Sequence, residues 1–173
     1  MDHDSTRIRP CRAEDLPLLD RHLPTPDAPG RHAGRLARQQ AGLGTYLIAW
    51  RDGVPAGNGQ VRWDGCAAPE VRARLADCPE LNGLDVREEL RGRGIGTALV
   101  RAAEALARER GRTHLGLGVA DDNPRAAALY ARLGYAPVTA YTDRYAYTDP
   151  QGVRHECADP CTFLVRPLLT PPG

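Results

Sequence analysis

The sequence predicts an α/β (α+β) fold, a domain over residues 1–173 in which a mixed, mostly antiparallel sheet carries flanking helices. Three observations predict it. Asp52-Gly53 stands between two runs of strand formers, the mark of a hairpin. A strand, a glycine loop, an amphipathic helix and another strand follow over 80–119, and the tight link before the last makes those two strands parallel. Beyond a helix stopping at Gly134, two further β-rich runs are joined through Asp149-Pro150-Gln151-Gly152.

In chain order, residues 6–9 read as an edge strand before Pro10, and Arg12 to His22 as a short helix with an acidic entry at Glu14 and Asp15. Its apolar positions are Ala13, Leu16 and Leu18 or Leu19. Three prolines and a glycine make residues 23–30 a loop, and a second helix covers Arg31 to Ala41. Residues 45–50 and 54–63 are the hairpin strands, with Gly57 and Gly59 marking bulges or close backbone contact. Residues 64–79 form an insertion of mixed charge, with a helical turn at 71–75, that suits a surface loop over a substrate entrance.

Residues 80–87 alternate as a strand, with Glu80, Asn82, Leu84 and Val86 on one face. The helix after the glycine loop runs to about Arg110, its stripe being Ile95, Leu99, Ala102 and Leu106, and Gly111 ends it. Residues 113–119 are the next strand. Asp121, Asp122 and Asn123 offer N-cap side chains before Pro124, and that helix reaches Leu133. Residues 135–147 and 162–167 are the last strands, and the tail at 168–173 is expected to be disordered.

Composition excludes several functions. The net charge of +1 favours neither nucleic acid nor an anionic membrane. No apolar run approaches the roughly 20 residues of a bilayer span. The start, Met-Asp-His-Asp-Ser-Thr, is polar and acidic, unlike a secretory signal, so a cytoplasmic location is expected. All 23 basic residues are arginine, which removes Schiff-base lysine chemistry and the phosphate loop built on a lysine. The five cysteines, an odd number, argue against a disulfide framework. His155, Cys157 and Cys161 could join Cys66 and Cys78 around zinc, but the spacing matches no common finger and no metal is expected.

Residues 91–96, Arg-Gly-Arg-Gly-Ile-Gly, carry the most chemistry. Glycines at alternate positions let the backbone approach a ligand, and the amides opening a helix have no partner within it. The helix dipole and Arg91 and Arg93 add positive charge, so the loop suits a phosphate or pyrophosphate. A dinucleotide fingerprint would need glycine at 97, which is threonine.

The stretch from Leu84 to Tyr135 resembles the GNAT superfamily of acetyl-CoA-dependent N-acetyltransferases. The resemblance rests on Leu84-Asp85-Val86, then Arg91-x-x-Gly94-x-Gly96 opening a helix, then Asn123-Pro124 and Leu129-Tyr130-x-x-Leu133-Gly134-Tyr135 after one strand. Ile8-Arg9-Pro10 with Glu14-Asp15-Leu16 also resembles the family's usual start. It implies about seven strands in the sheet, with two parallel strands, 80–87 and 113–119, splayed around a thioester. It also implies that the amides of Arg91, Gly92, Arg93, Gly94, Ile95 and Gly96, with Thr97 close by, hold the pyrophosphate of acetyl-CoA. The main chain of Leu84, Asp85 and Val86 would pair with pantetheine as an added strand, with the Val86 amide polarising the acetyl carbonyl. Asn123 would touch pantetheine.

The implied reaction is direct attack of an amine on the thioester, and the acceptor expected is a primary amine of a small molecule. Tyr130 occupies the family's general-acid position; otherwise it packs its helix on the sheet. Glu80 is the candidate base, since burial beside the acyl cleft would raise its pKa. Asn82 could position a water instead, His155 is another candidate base, and Asp85 faces the wrong way. Tyr141, Tyr145 and Tyr147 could wall an acceptor pocket or belong to core or a homodimer interface. Alternative readings are acetylation of a protein or peptide amine and a non-catalytic acyl-CoA-binding module.

Overall fold

Asp52 and Gly53 hold φ at +52° and +74°, the doubly left-handed turn that suits strand twist. They join β2 (Gly44–Arg51) to β3 (Val54–Arg62), as the sequence predicts. The structure, a computed structural model, describes residues 5–168. Its other elements are β1 (Arg7–Pro10), α1 (Leu16–His22), α2 (Arg31–Gln40), α3 (Pro69–Arg74), β4 (Glu80–Val86), α4 (Ile95–Glu109), β5 (His114–Ala120), α5 (Pro124–Arg132), β6 (Ala136–Thr148) and β7 (Arg154–Pro167). The class is the expected one: a seven-stranded, mostly antiparallel sheet with one parallel pair and flanking helices. The chain divides into two compact units, Met1–Trp63 with Leu81–Leu106 and Asp64–Glu80 with Ala107–Gly173.

In the first unit the strand order is β1-β2-β3-β4. Ile8 stands opposite Ala49 and Ile48 opposite Asn58, both pairings antiparallel. Ala49 pairs with Gly57 and Trp50 with Pro55, so Ala56 is the extra residue of a bulge in β3. Helices α1 and α2 bury Leu19, Leu23 and Leu36 against Tyr46 and Ile48, with Cys11 in the same cluster. Leu19 rather than Leu18 faces this core. Asp15 closes the entry to α1: its carboxylate accepts from Arg9 Nη1 and Nη2 at 2.7 and 2.9 Å and from the Arg12 amide at 2.7 Å.

The buried face of α4 is wider than its sequence suggests. Ile95, Leu99, Val100, Ala103 and Ala107 are buried, while Ala102 and Leu106 are half-buried. Glu104 lies on that face with no exposure and accepts from Arg101 Nη1 at 2.6 and 3.0 Å. A glutamate reads as the solvent side; pairing one helical turn away lets it go inside.

In the second unit the order is β5-β7-β6, with Gly118 opposite Phe163 and Tyr141 opposite Cys161. Strand β7 starts at Arg154, eight residues before the predicted start. The sequence 154–161 is polar and holds Pro160, so it lacks a strand's apolar alternation. Pairing with β6 and the turn around Asp149 hold it extended, the Asp149 carboxylate accepting from the amides of Gln151 and Val153 at 3.0 and 2.8 Å.

The insertion at 64–79 is not the surface loop its charge suggests. Cys66, Val71 and Cys78 are buried against Phe163 and Val165, with Ala68, Leu75, Val138 and Tyr141 around them. Its charged residues line the outer side of α3, and the apolar ones are spaced to face inward. Leu168, expected in a disordered tail, is buried, and its amide donates to the Thr113 carbonyl at 2.8 Å. The rest of that tail lies outside the described residues. Among those described, no helix is long and apolar enough to cross a membrane.

Candidate active site

Gly57 sets the position of the glycine loop in the first unit. A Cβ there would stand 2.8 Å from the Asp85 carbonyl oxygen, 3.3 Å from Val86 Cγ2 and 3.4 Å from Ile95 Cγ2. Only glycine lets β3 lie this close to β4 while the first residue of α4 packs alongside. Arg87 N–H donates to the Ala56 carbonyl at 2.9 Å. Successive amides of a strand alternate in direction, so the Val86 N–H points away from β3. The Val86 carbonyl, on that same side, accepts from Arg91 Nε at 3.1 Å. Gly83, at φ +65°, breaks the alternation of β4 just before Leu84.

The loop itself has the shape of an anion cradle. Gly92 and Gly94 hold φ at +77° and +81°, and left-handed residues at alternate positions turn neighbouring amides toward a common point. Ala98 is the first residue to donate back along the helix, to the Gly94 carbonyl at 3.0 Å. Among the described residues none of the amides from Gly92 to Thr97 donates to a carbonyl. Arg91, Arg93, Gly92 and Gly94 are exposed, Gly96 and Thr97 half-buried, and Ile95 anchors the turn at 1% exposure. Arg91 also pairs with Asp85 at 3.5 Å. The first unit therefore brings together Leu84–Val86 and residues 91–97, as their sequence pattern requires.

The other candidates belong to the second unit. Asn123 caps α5, its Oδ1 accepting from the Ala126 amide at 3.1 Å, which leaves its amide nitrogen for a ligand. Tyr130 is 9% exposed and meets Tyr135 edge to face at 6.5 Å. Burial pushes its phenol above the usual tyrosine range, and no hydrogen bond engages its hydroxyl among the described residues. Glu80 is 3% exposed, directly after Pro79, whose carbonyl accepts from the Gly116 amide at 2.9 Å.

Tyr141 is a residue whose place sequence reasoning left open. Its ring meets Phe163 edge to face at 6.1 Å, and its hydroxyl fills the space that a Cβ on Gly118 would take. Burial foremost, with Cys161, Glu80 and other acidic groups behind it, holds the phenol protonated far above the ordinary range. The three alternating tyrosines do not wall one pocket. Tyr145 donates to Asp159 at 2.8 Å and Tyr147 stacks on His155 at 5.0 Å. His155 is engaged in the turn, its Nε2 standing 2.7 Å from Asp149, and that contact holds the Asp149 carboxyl below its usual range.

All five cysteines are free thiols. Burial pushes Cys78 up to about 12 and Cys11 up to about 11, so both stay protonated and unreactive near neutrality. Among the described residues no three or more His, Cys, Asp or Glu side chains are grouped to hold a metal ion.

The family model described as "Acetyltransferase (GNAT) family" matches residues 12–135. A curated relative, the mycothiol acetyltransferase of Jonesia denitrificans, is 38% identical over 73 residues. That match covers 42% of this chain and 22% of the relative, so the chain corresponds to about a fifth of the relative's length. The ribosomal-protein-S18-alanine N-acetyltransferase of Escherichia coli superposes with a TM-score of 0.67 at 20% identity, covering 98% of this chain and 97% of that one. A GNAT family acetyltransferase from Elizabethkingia anophelis with acetyl-CoA bound gives 0.61 at 17% identity, covering 95% and 99%. At those identities the two structures speak for the fold alone.

Proposed function

The chain belongs to the GNAT acetyltransferase family, and from that premise we propose that it moves an acetyl group from acetyl-CoA to a primary amine of a small molecule by direct attack. The observation that carries the proposal is the cradle at 91–97. Its amides lack acceptors, two glycines fix their direction, and arginines flank them. A pyrophosphate supplies the missing acceptors, and the helix dipole favours its charge.

Leu84–Val86 then receives the pantetheine arm, with Asn123 reaching it by its amide nitrogen. The neutral amine attacks the thioester carbonyl carbon, and the carbonyl π pair moves to oxygen, where the Val86 N–H stabilises it. Collapse breaks the carbon–sulfur bond. Tyr130 gives its proton to the leaving thiolate, and the proton shed by the nitrogen passes to Glu80, directly or through a water held by Asn82. A phenol kept neutral by burial suits the first task. Glu80 suits the second by its burial at the head of β4.

Thiol release from acetyl-CoA across a panel of amines that includes peptides tests the reading. Turnover of small amines is expected. Turnover of peptides alone would move the acceptor to a protein amine, and tight acetyl-CoA binding with no thiol release on any amine would leave a binding module.

A further inference from the structure

Arg35 has no task in acetyl transfer, yet it lies against the backbone that the transfer uses. It extends from α2 until its Nη2 fills the space that a Cβ on Gly83 would take. The guanidinium thus rests on the kink of β4, one residue before Leu84–Val86. It also stands over the Tyr46 ring, with its Cζ 5.5 Å from the centroid. Asn58 Oδ1 accepts from Nη1 at 3.4 Å, a long bond. His32 fixes that ring: its Nε2 donates to the Leu23 carbonyl at 2.7 Å, so Nδ1 accepts the Tyr46 proton at 2.6 Å.

These groups do not balance the charge. Among the described residues no carboxylate lies within ion-pair distance of Arg35. Asp85 attracts it, less than burial opposes its charge, and Asp85 is itself paired with Arg91. Arg31, one turn earlier on α2, adds repulsion, and α2 contains no acidic residue. Burial holds the Arg35 pKa below its usual value. A half-buried cation with five donors, few of them used, is a site short of one anion.

We propose that Arg35 receives a carboxylate carried by the acceptor, so that the substrate amine is an amino acid or a similar amino-carboxylate. The planar fork of a guanidinium suits a carboxylate held by two parallel bonds. One half-buried guanidinium neutralises one charge, which fits a carboxylate better than a doubly charged phosphate. The inference rests on the reading of Leu84–Val86 as the acyl-carrying strand.

Two measurements test it. In the first, thiol release is followed with free amino acids against their carboxamides, and with phosphoethanolamine against ethanolamine. The wild-type protein should prefer the carboxylate member of a pair by about 10- to 100-fold in kcat/KM, through KM. In Arg35→Gln the preference should collapse toward one, and Arg35→Lys should restore part of it. Equal use of both members by the wild type, or a preference that survives in Arg35→Gln, overturns the proposal. A preference for the phosphate pair alone reassigns the anion and overturns the carboxylate.

The second measurement needs neither turnover nor a variant: thermal shift of the wild-type protein with acetylated amino acids against their amides. Stabilisation only by the carboxylates supports the proposal, and equal shifts overturn it. Acetyl-CoA titration runs beside both. A wild-type protein that binds acetyl-CoA but shows no carboxylate preference rejects the role of Arg35 alone. Failure of the wild type to bind acetyl-CoA rejects the acyl-transfer reading itself.

Discussion

The Tyr46 hydroxyl donates to His32 Nδ1 across 2.6 Å, and neither residue exceeds 1% exposure. The pair links α2 to β2 inside the first unit. Tyr46→Phe keeps the ring's packing, including its contact with Arg35, but leaves the imidazole nitrogen without its donor. Urea unfolding should show a loss of about 1–3 kcal/mol with an unchanged m value. An unchanged midpoint would mean that water replaces the hydroxyl in the core.

Asp15 and Arg9 give a stability that depends on pH. The hydrogen bonds from Arg9 hold the Asp15 carboxyl below its ordinary value, while burial opposes them. A carboxyl whose folded pKa is depressed contributes stability above its unfolded pKa, near 3.9, and that contribution is lost as pH falls through the folded value. Asp15→Asn should therefore cost about 1–3 kcal/mol near neutrality, and the difference from wild type should shrink below about pH 4. A difference constant from pH 7 to pH 3 would remove the charge from the account.

Much of this was readable because the residues concerned have local causes. Asp52-Gly53, Gly92, Gly94 and Asn123-Pro124 each dictate a backbone conformation within two or three residues, and each stands where the sequence places it. The loop's free amides follow from helix geometry at any helix start. The 154–161 half of β7 and the insertion at 64–79 depart from their sequence pattern for one shared reason. Their burial or extension is imposed by distant partners, so a polar sequence gives no local sign of it. Arg35 is the same case within the candidate site. Nothing in the α2 sequence says that Gly83, 48 positions on, leaves the space it occupies.

Two glycines separate space from conformation. At Gly57 an added Cβ meets the Asp85 carbonyl oxygen at 2.8 Å, and neither is a flexible side chain. Gly57→Ala must part β3 from β4, at about 2 kcal/mol or more. At Gly94 nothing lies within 4 Å, and the cost comes from φ at +81°, about 1–2 kcal/mol. Gly94→Ala should lose less stability than Gly57→Ala yet weaken acetyl-CoA by about tenfold, since turning one amide out of the cradle removes a charged hydrogen bond. Calorimetric titration with acetyl-CoA, beside melting curves for both variants, reads the two effects apart. Unchanged affinity in Gly94→Ala would place the pyrophosphate elsewhere.

Tyr130 separates catalysis from packing. Its ring meets Tyr135 edge to face, and its hydroxyl makes no hydrogen bond among the described residues. Tyr130→Phe should therefore leave stability within about 0.5 kcal/mol of wild type. If the phenol protonates the leaving thiolate, kcat should fall by about 10²-fold or more with little change in KM for acetyl-CoA. The pH profile carries a second signature. Burial raises the phenol's pKa above the ordinary tyrosine value, so the acid form persists through neutrality and fails only on the alkaline side. Tyr130→Phe should erase that alkaline fall. A stable Tyr130→Phe with wild-type kcat would reduce Tyr130 to packing and move the acid elsewhere in the second unit, where the protonated phenol of Tyr141 is next to be tested.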